Sequence, residues 1–345
     1  MVNKMKELPE IKESLTGIYD ISLSPVRANA LAAGAELRIF DHLNSPVTAK
    51  KIAEECNYCA ETTEEFLNVL VACGLLEKKN SEYLNRPDTR QFLVSDSPTY
   101  YGKILLREYH RISMTPAEII ETVKGGPAGP KEEDDMGLEE FWSDYARSIA
   151  NWERSGSAQK LGEIISKLPQ FDSFEHMLDL GGGPGLMGIA VLQHHPSMTG
   201  VVFDQPAVAK VAGEFISYYG LDARMTVMGG NYLQDSFGTG YDLILCSCTL
   251  NFALGCMDEM VQKIYYALNP GGVFASLHDG IFNEGTAPEF HILNMMSSAF
   301  SGFNWGIKKG LIAESMKKAG FEEVTSESID LDVGPFDLDI AVKGS

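Results

Sequence analysis

Basic residues are scarce in this 345-residue chain, where 28 Lys and Arg stand against 48 Asp and Glu and the formal charge is −20. Such an acidic surface repels phosphate backbones and anionic lipid, so neither nucleic acid nor membrane is expected as a partner. Any apolar run approaching the roughly 20 residues of a membrane span is also missing. The opening Met1-Val2-Asn3-Lys4-Met5-Lys6-Glu7 does not lead into the apolar core of a signal peptide, and a cytoplasmic location is expected. Six cysteines (Cys56, Cys59, Cys73, Cys246, Cys248, Cys256) are too few and too irregular for a disulfide framework at this length. Cys56 and Cys59 have the spacing of half a zinc site, but no second pair follows nearby, so ordinary thiols and no metal are the expectation. There is no internal repeat and no low-complexity tract.

What the chain does have is apolar content, 44% of its residues, enough for two domains and a sizeable core. Its strongest single signal is His176-Met177-Leu178-Asp179-Leu180-Gly181-Gly182-Gly183-Pro184-Gly185, an apolar strand running into a glycine-rich turn and a helix. Such a turn lets a ligand approach the backbone, and the helix that follows offers unpaired N–H groups. The run Gly200-Val201-Val202-Phe203 ends in Asp204, 25 residues beyond Asp179. An acid ending the second strand of a βαβ unit is placed to bond ribose hydroxyls, so a nucleotide-like cofactor is expected here. An acid two residues before Gly-Gly-Gly-Pro-Gly resembles motif I of the S-adenosylmethionine-dependent methyltransferases. The dinucleotide folds prefer G-x-G-x-x-G, so the resemblance implies S-adenosylmethionine in preference to NAD.

Upstream, residues 25–43 read as a helix behind Ser24 as N-cap, with Val26, Ala30, Ala33, Leu37 and Phe40 on one face. A second helix starts behind Thr48 and carries Ile52. A third opens with Thr62 and Glu65 as a capping box, buries Phe66, Leu67, Leu70 and Val71, and stops at Gly74. Extended pieces at 75–78 and 82–85 flank a turn at Lys79-Asn80-Ser81. Three helices and a hairpin indicate a winged helix, yet residues 21–100 hold eight Lys and Arg against eleven Asp and Glu, which disfavours DNA. The stretches 30–43, 47–53 and 69–76 resemble the N-terminal dimerisation domain of small-molecule O-methyltransferases, plant phenolic and bacterial polyketide enzymes among them. That family implies a homodimer acting on a small molecule: a dimerisation domain at 1–123, a linker at 124–140 and a methyltransferase domain at 141–345.

From residue 141 onward a largely helical stretch to 165 precedes alternating strands and helices, the pattern of an α/β, Rossmann-like doubly wound parallel sheet. The resemblance places the cofactor against Asp179, Gly181, Gly183, Asp204, Gln205, Asn231, Tyr232 and Ser247. Asn231 stands where the family usually has Asp. In similar enzymes the region of Tyr145, Arg147, Asn151 and Arg154 closes over cofactor and substrate, and the helix 290–300, with His291 and Met295, lines the acceptor pocket. Arg147 and Arg154 could bind an acceptor carboxylate, although a lone Arg more often forms a surface ion pair.

The family's usual His base is missing from Cys246-Ser247-Cys248-Thr249-Leu250-Asn251, where Asn251 is the nearest polar group, and neutral Asn takes no proton. The supporting Glu also lacks a counterpart in Asn304-Trp305-Gly306-Ile307-Lys308. A thioether or thiolate sulfur needs only positioning, so S-methylation stands slightly ahead of O-methylation. In this the chain resembles the methylthiohydroxybutyrate S-methyltransferases. His278, oriented by its neighbour Asp279, is the substitute base if one is used. Similar proteins that keep the cofactor without transferring methyl leave a non-methylating enzyme as a further alternative.

Overall fold

The computed structural model describes residues 8–127, 129 and 139–345. Its contacts divide the chain into two compact units, one up to Tyr109 and one from His110 onward. Most of the stretch 124–140, read above as a linker, lies outside the described residues, and its two ends belong to helices.

In the first unit, α1 (Thr16–Glu36) starts well before the expected residue 25, and Pro25 lies inside it, so Ser24 is not its N-cap. The helix stops where Arg38 turns left-handed, at φ 52, into a short 3-10 turn over Ile39–His42. β1 (Val47–Thr48) leads into α2 (Ala49–Cys56), whose Lys51 N–H bonds the Thr48 hydroxyl oxygen as a cap. α3 (Ala60–Ala72) begins behind Cys59 with no capping box at Thr62, because the Thr62 and Thr63 hydroxyls donate back to the Cys59 carbonyl from inside the helix. β2 (Leu76–Lys79) and β3 (Glu82–Asn85) form an antiparallel hairpin. Asn80 and Ser81 both have positive φ, 51 and 66, in the two-residue turn that suits strand twist. β1 adds to β3, and α4 (Pro87–Leu93) and α5 (Gly102–Ile112) follow. Phe40, Ile52, Leu67, Leu70 and Tyr83 fill the core, while Phe66 and Val71 are only partly covered.

The second unit opens with α6 (Pro116–Gly125), α7 (Glu139–Trp152) and α8 (Ala158–Ile165). A single π-type turn, Glu153–Ser157, joins the last two and is kinked at Gly156, φ 132. Strands and helices then alternate through β4 (His176–Leu180), α9 (Leu186–Gln193), β5 (Thr199–Asp204), α10 (Pro206–Tyr218), β6 (Met225–Gly229) and β7 (Tyr241–Ser247). After these come α11 (Met257–Ala267), β8 (Leu268–His278), α12 (Glu289–Phe300), α13 (Leu311–Ala319), β9 (Glu323–Leu331) and β10 (Gly334–Val342). The strands lie in the order β6-β5-β4-β7-β8-β10-β9. The first five are parallel and have helices on both sides, as expected of a doubly wound sheet. β10 is antiparallel to both β8 and β9, because a short turn after β9 can only double the chain back on itself.

The chain runs outward from β4 to β6 and returns to β7, so a crevice opens at the carboxyl ends of β4, β5 and β7. Among the described residues no helix is long and apolar enough to cross a membrane, and no three acidic, His or Cys groups cluster as metal ligands.

α8 lies so close to α9 that a Cβ on Gly162 would sit 2.9 Å from the Ala190 carbonyl oxygen. Gly162→Val is therefore expected to lower stability by about 1–3 kcal/mol through overpacking. Thermal or urea denaturation measures this, and an unchanged midpoint would show the two helices free to separate.

Candidate active site

β4 delivers Asp179 to the sheet edge, and the chain turns sharply over Gly181 and Gly183, both left-handed at φ 64 and 55. A side chain at Gly181 would collide with Thr249, so this turn admits only glycine. At the end of the neighbouring strand, Asp204 accepts the Gly183 N–H through Oδ2 at 2.8 Å and the Gln205 N–H through Oδ1 at 2.7 Å. Burial lifts the Asp204 carboxyl above its usual range, against the pull of those two N–H groups. It is fixed at the mouth of the loop with acceptor capacity left for hydroxyl donors.

The first turn of α9 is closed by carboxylates. Asp179, fully buried, accepts the Gly188 N–H through Oδ2 at 3.0 Å. Glu153, presented by the π-type turn, lies beside the backbone N–H groups of Leu186 and Met187, which pull its pKa down against the larger effect of burial. Burial pushes Asp179 up to about 7, the Gly188 bond opposing and the Asp204 charge adding to the rise. Burial also drives Glu153 well up, with Asp179 as the next cause. Asp179 Oδ1 and Glu153 Oε2 are buried without a hydrogen-bond partner. In dinucleotide folds this helix end holds a pyrophosphate. Two carboxylates on it exclude phosphate and fit a cofactor that brings N–H donors and positive charge.

The remaining expected contacts vary in their fit. Gln205 stands at the N-cap of α10, and Ser247 ends β7. Tyr232 donates its hydroxyl to the Thr249 carbonyl at 2.7 Å, and burial raises its pKa. Asn231 is exposed, its Oδ1 taken by the Leu233 N–H in a local turn.

A cavity of ≈ 70 Å³ is lined by Cys248, Asn251, His278, Asp279, Met295, Trp305 and Ile307. His278 ends β8 with 1% of its surface exposed, and its Nε2 lies 2.9 Å from Asp339 Oδ2. A carboxylate only accepts, so Nε2 carries a proton, and in the neutral ring the lone pair lies on Nδ1. That Nδ1 is buried without a partner, as is Asn251 Oδ1. Asp339 is held in turn by the Ser326 hydroxyl, which donates to Oδ1.

This corrects the expectation that Asp279 orients the ring. The Asp279 carboxyl instead accepts the Ile307 N–H at 3.3 Å and faces His291 Nδ1 at 3.7 Å, and burial raises its pKa. His291 is itself tied down, its Nε2 donating to the Pro335 carbonyl at 2.7 Å. Met295 lines the cavity, whereas His291 and the other acceptor candidates, Arg147, Asn151 and Tyr145, do not. Arg147 forms a half-exposed bidentate pair with Glu214. Asn151 is satisfied locally by the Ser148 carbonyl at 2.9 Å and by Arg154, whose Nη2 donates to its Oδ1, while the Arg154 Nε is buried without a partner. Tyr145 packs on Trp142, from which ring contacts run through Phe252 to Trp305 on the cavity wall.

Residues 152–296 match the family model of the O-methyltransferase domain, and residues 19–95 match that of the O-methyltransferase dimerisation domain. The chain belongs to the O-methyltransferase family. It is an S-adenosylmethionine-dependent methyltransferase. Among its relatives, the N,N-dimethyltransferase OxyT of Streptomyces rimosus is 27% identical over 332 residues, 92% of this chain and 93% of that one. An O-methyltransferase family protein from Burkholderia thailandensis superposes with a TM-score of 0.77 at 20% identity, covering 97% and 99% of the two chains. Human N-acetylserotonin methyltransferase in complex with SAM superposes with a TM-score of 0.76 at 18% identity, covering 98% and 100%.

Two site residues of this methyltransferase were not found by sequence reasoning. Glu153 reads as the polar side of an amphipathic helix, and only the Gly156 that breaks that helix hints otherwise. Asp339 alternates with Leu338 and Asp337 and so reads as a solvent face. No local signal marks it.

Burial in the fold pushes the Asp179 carboxyl up to about 7 from an ordinary value of 3.8. The folded protein thus carries an extra proton between those values, and this group's contribution to stability falls as pH rises through that window. Denaturation midpoints of the ligand-free methyltransferase are expected to fall from pH 5 to pH 8. Asp179→Asn, which keeps an acceptor for Gly188, is expected to flatten the fall; an equal slope in the variant would assign it to other groups.

Proposed function

We propose that this enzyme methylates a small molecule held in the cavity between Asn251, His278 and Trp305, with His278 as general base. The observation that carries this reading is the His278 ring on the cavity wall, with Nε2 on Asp339 and Nδ1 buried without a partner. Bound S-adenosylmethionine supplies an electrophilic methyl group. His278 Nδ1 takes the acceptor's proton as the methyl bond forms, and Asp339 stabilises the resulting imidazolium across the Nε2 bond. Asn251 Oδ1 positions the acceptor. Asp204 receives the ribose hydroxyls beside Gly181 and Gly183, and Tyr232 and Ser247 complete the wall.

A hydroxyl acceptor follows, because only an acceptor with a proton to lose needs such a base. The preference for sulfur rested on two absences, a base in residues 246–251 and its supporting Glu in residues 304–308; on this reading His278 and Asp339 take those two roles. The relatives above are named for N- and O-methylation, which fits an acceptor that sheds a proton. A thioether remains the second reading on one observation: Met295 and Trp305 give the cavity soft, polarisable walls suited to sulfur.

We also propose that the first unit, as a winged helix, joins two copies of the chain and binds no DNA. Ile18, Tyr19 and Ile21 on α1 are 62–72% exposed, a row that a second copy would cover. The free thiols accord with a cytoplasmic location.

With hydroxyl acceptors, His278→Ala is expected to lower kcat by about 10²–10⁴-fold and to abolish the rise of rate with pH. Asn251→Ala should slow turnover without altering the profile's shape. A thioether substrate turned over equally by wild type and His278→Ala would favour the second reading. In sedimentation, the wild type is expected at two-chain mass and the double variant Ile18→Glu, Ile21→Glu at one-chain mass; a monomeric wild type would end the dimer proposal.

A further inference from the structure

Among the described residues, no cation acts on the buried acids around the glycine turn. The groups that act on Glu153 are Asp179 on β4, Asp204 on β5 and the two N–H groups of α9. Asp179 acts in turn on the Cys246 thiol, and Glu153 on Cys248. None of these groups is a Lys, Arg or His. The guanidinium next in sequence, Arg154, is directed to Asn151. Glu153 is 6% exposed and Asp179 fully buried, and each ends in an oxygen without a partner. Leaving a carboxylate oxygen buried and unpaired is costly unless a ligand completes it.

The turn that carries Glu153 is itself unusual. One π-type turn interrupts the otherwise continuous α7–α8 segment, and such insertions change the direction in which a helical side chain points. Here the change lays Glu153 across the end of α9. A capping role alone would account for a carboxyl beside Leu186 and Met187 but not for its partnerless oxygen.

We propose that Glu153, together with Asp179, receives the α-ammonium group of the cofactor's amino-acid end. This rests on the reading of the glycine turn as the S-adenosylmethionine site and adds to it a residue outside the glycine motif. The positive group supplies the missing countercharge and draws donors onto Glu153 Oε2 and Asp179 Oδ1. Binding then releases the proton that the Asp179 carboxyl, pushed up to about 7 by burial, holds in the free protein.

The test is isothermal calorimetry with two ligands, S-adenosylhomocysteine, which carries the ammonium, and 5′-methylthioadenosine, which lacks the amino-acid end. Glu153→Gln keeps an oxygen for the α9 cap and removes the charge. It is expected to weaken S-adenosylhomocysteine by about 10- to 100-fold and 5′-methylthioadenosine by less than about threefold. Equal weakening of both ligands would overturn the proposal and leave Glu153 a structural cap. The wild type gives a second readout that needs no folded variant. Its affinity for S-adenosylhomocysteine should rise from pH 6 to pH 8 with net proton release across buffers of different ionisation enthalpy, while that for 5′-methylthioadenosine stays flat. Binding of S-adenosylhomocysteine without proton release would overturn it. If neither ligand bound the wild type, the underlying cofactor reading would fall instead.

Discussion

The first turn of α9 ends against the chain's own carboxylates. Gly188 donates to Asp179, and Glu153 lies beside the N–H groups of Leu186 and Met187, which pull its pKa down against burial. Helix ends of this kind attract any anion, so the choice of occupant decides what the crevice can hold. With two acids already there, a phosphorylated ligand meets like charge, while a cationic one meets a site lacking only its counterpart. The glycine turn, the position of Asp204 and the polarity of the crevice all follow from that arrangement.

The parts of the site that could be read from the sequence were local ones. Asp179, Gly181 and Gly183 fall within five residues, and Asp204 ends the very next strand, so one βαβ unit holds them all. Helix starts were less legible. Pro25 looks like a first-turn residue because proline is favoured there, yet α1 runs through it, with residues around it exposed to solvent. At α3, two threonines that look like cap residues bond backwards from within the helix. In both cases the motif was present and the backbone used its atoms differently.

Asp339 shows why the rest was hidden. Its partner His278 lies 61 residues away in sequence, and the two meet only because β10 enters the sheet antiparallel beside β8. On β8 and β10, Asp337 is directly opposite His278, and Asp339 sits one alternation further on the same face. Asp339 is thus the diagonal neighbour within reach of the ring. The Asp337-Leu338-Asp339 alternation suggests water on one side, but both acids are buried and bonded to serines of β9. That polar strand face is the lining of a network between two antiparallel pairs.

The antiparallel entry of β10 also sets an order of assembly during synthesis. A ribosome that has released the chain as far as β7 has already made the glycine turn, Asp179 and Asp204. The carboxylate that steadies the His278 ring arrives only with the last strand, long after the ring itself. A nascent or C-terminally clipped polypeptide would therefore possess the crevice for the donor while its imidazole hung without an anchor, and proteolysis near that end would uncouple occupancy from turnover.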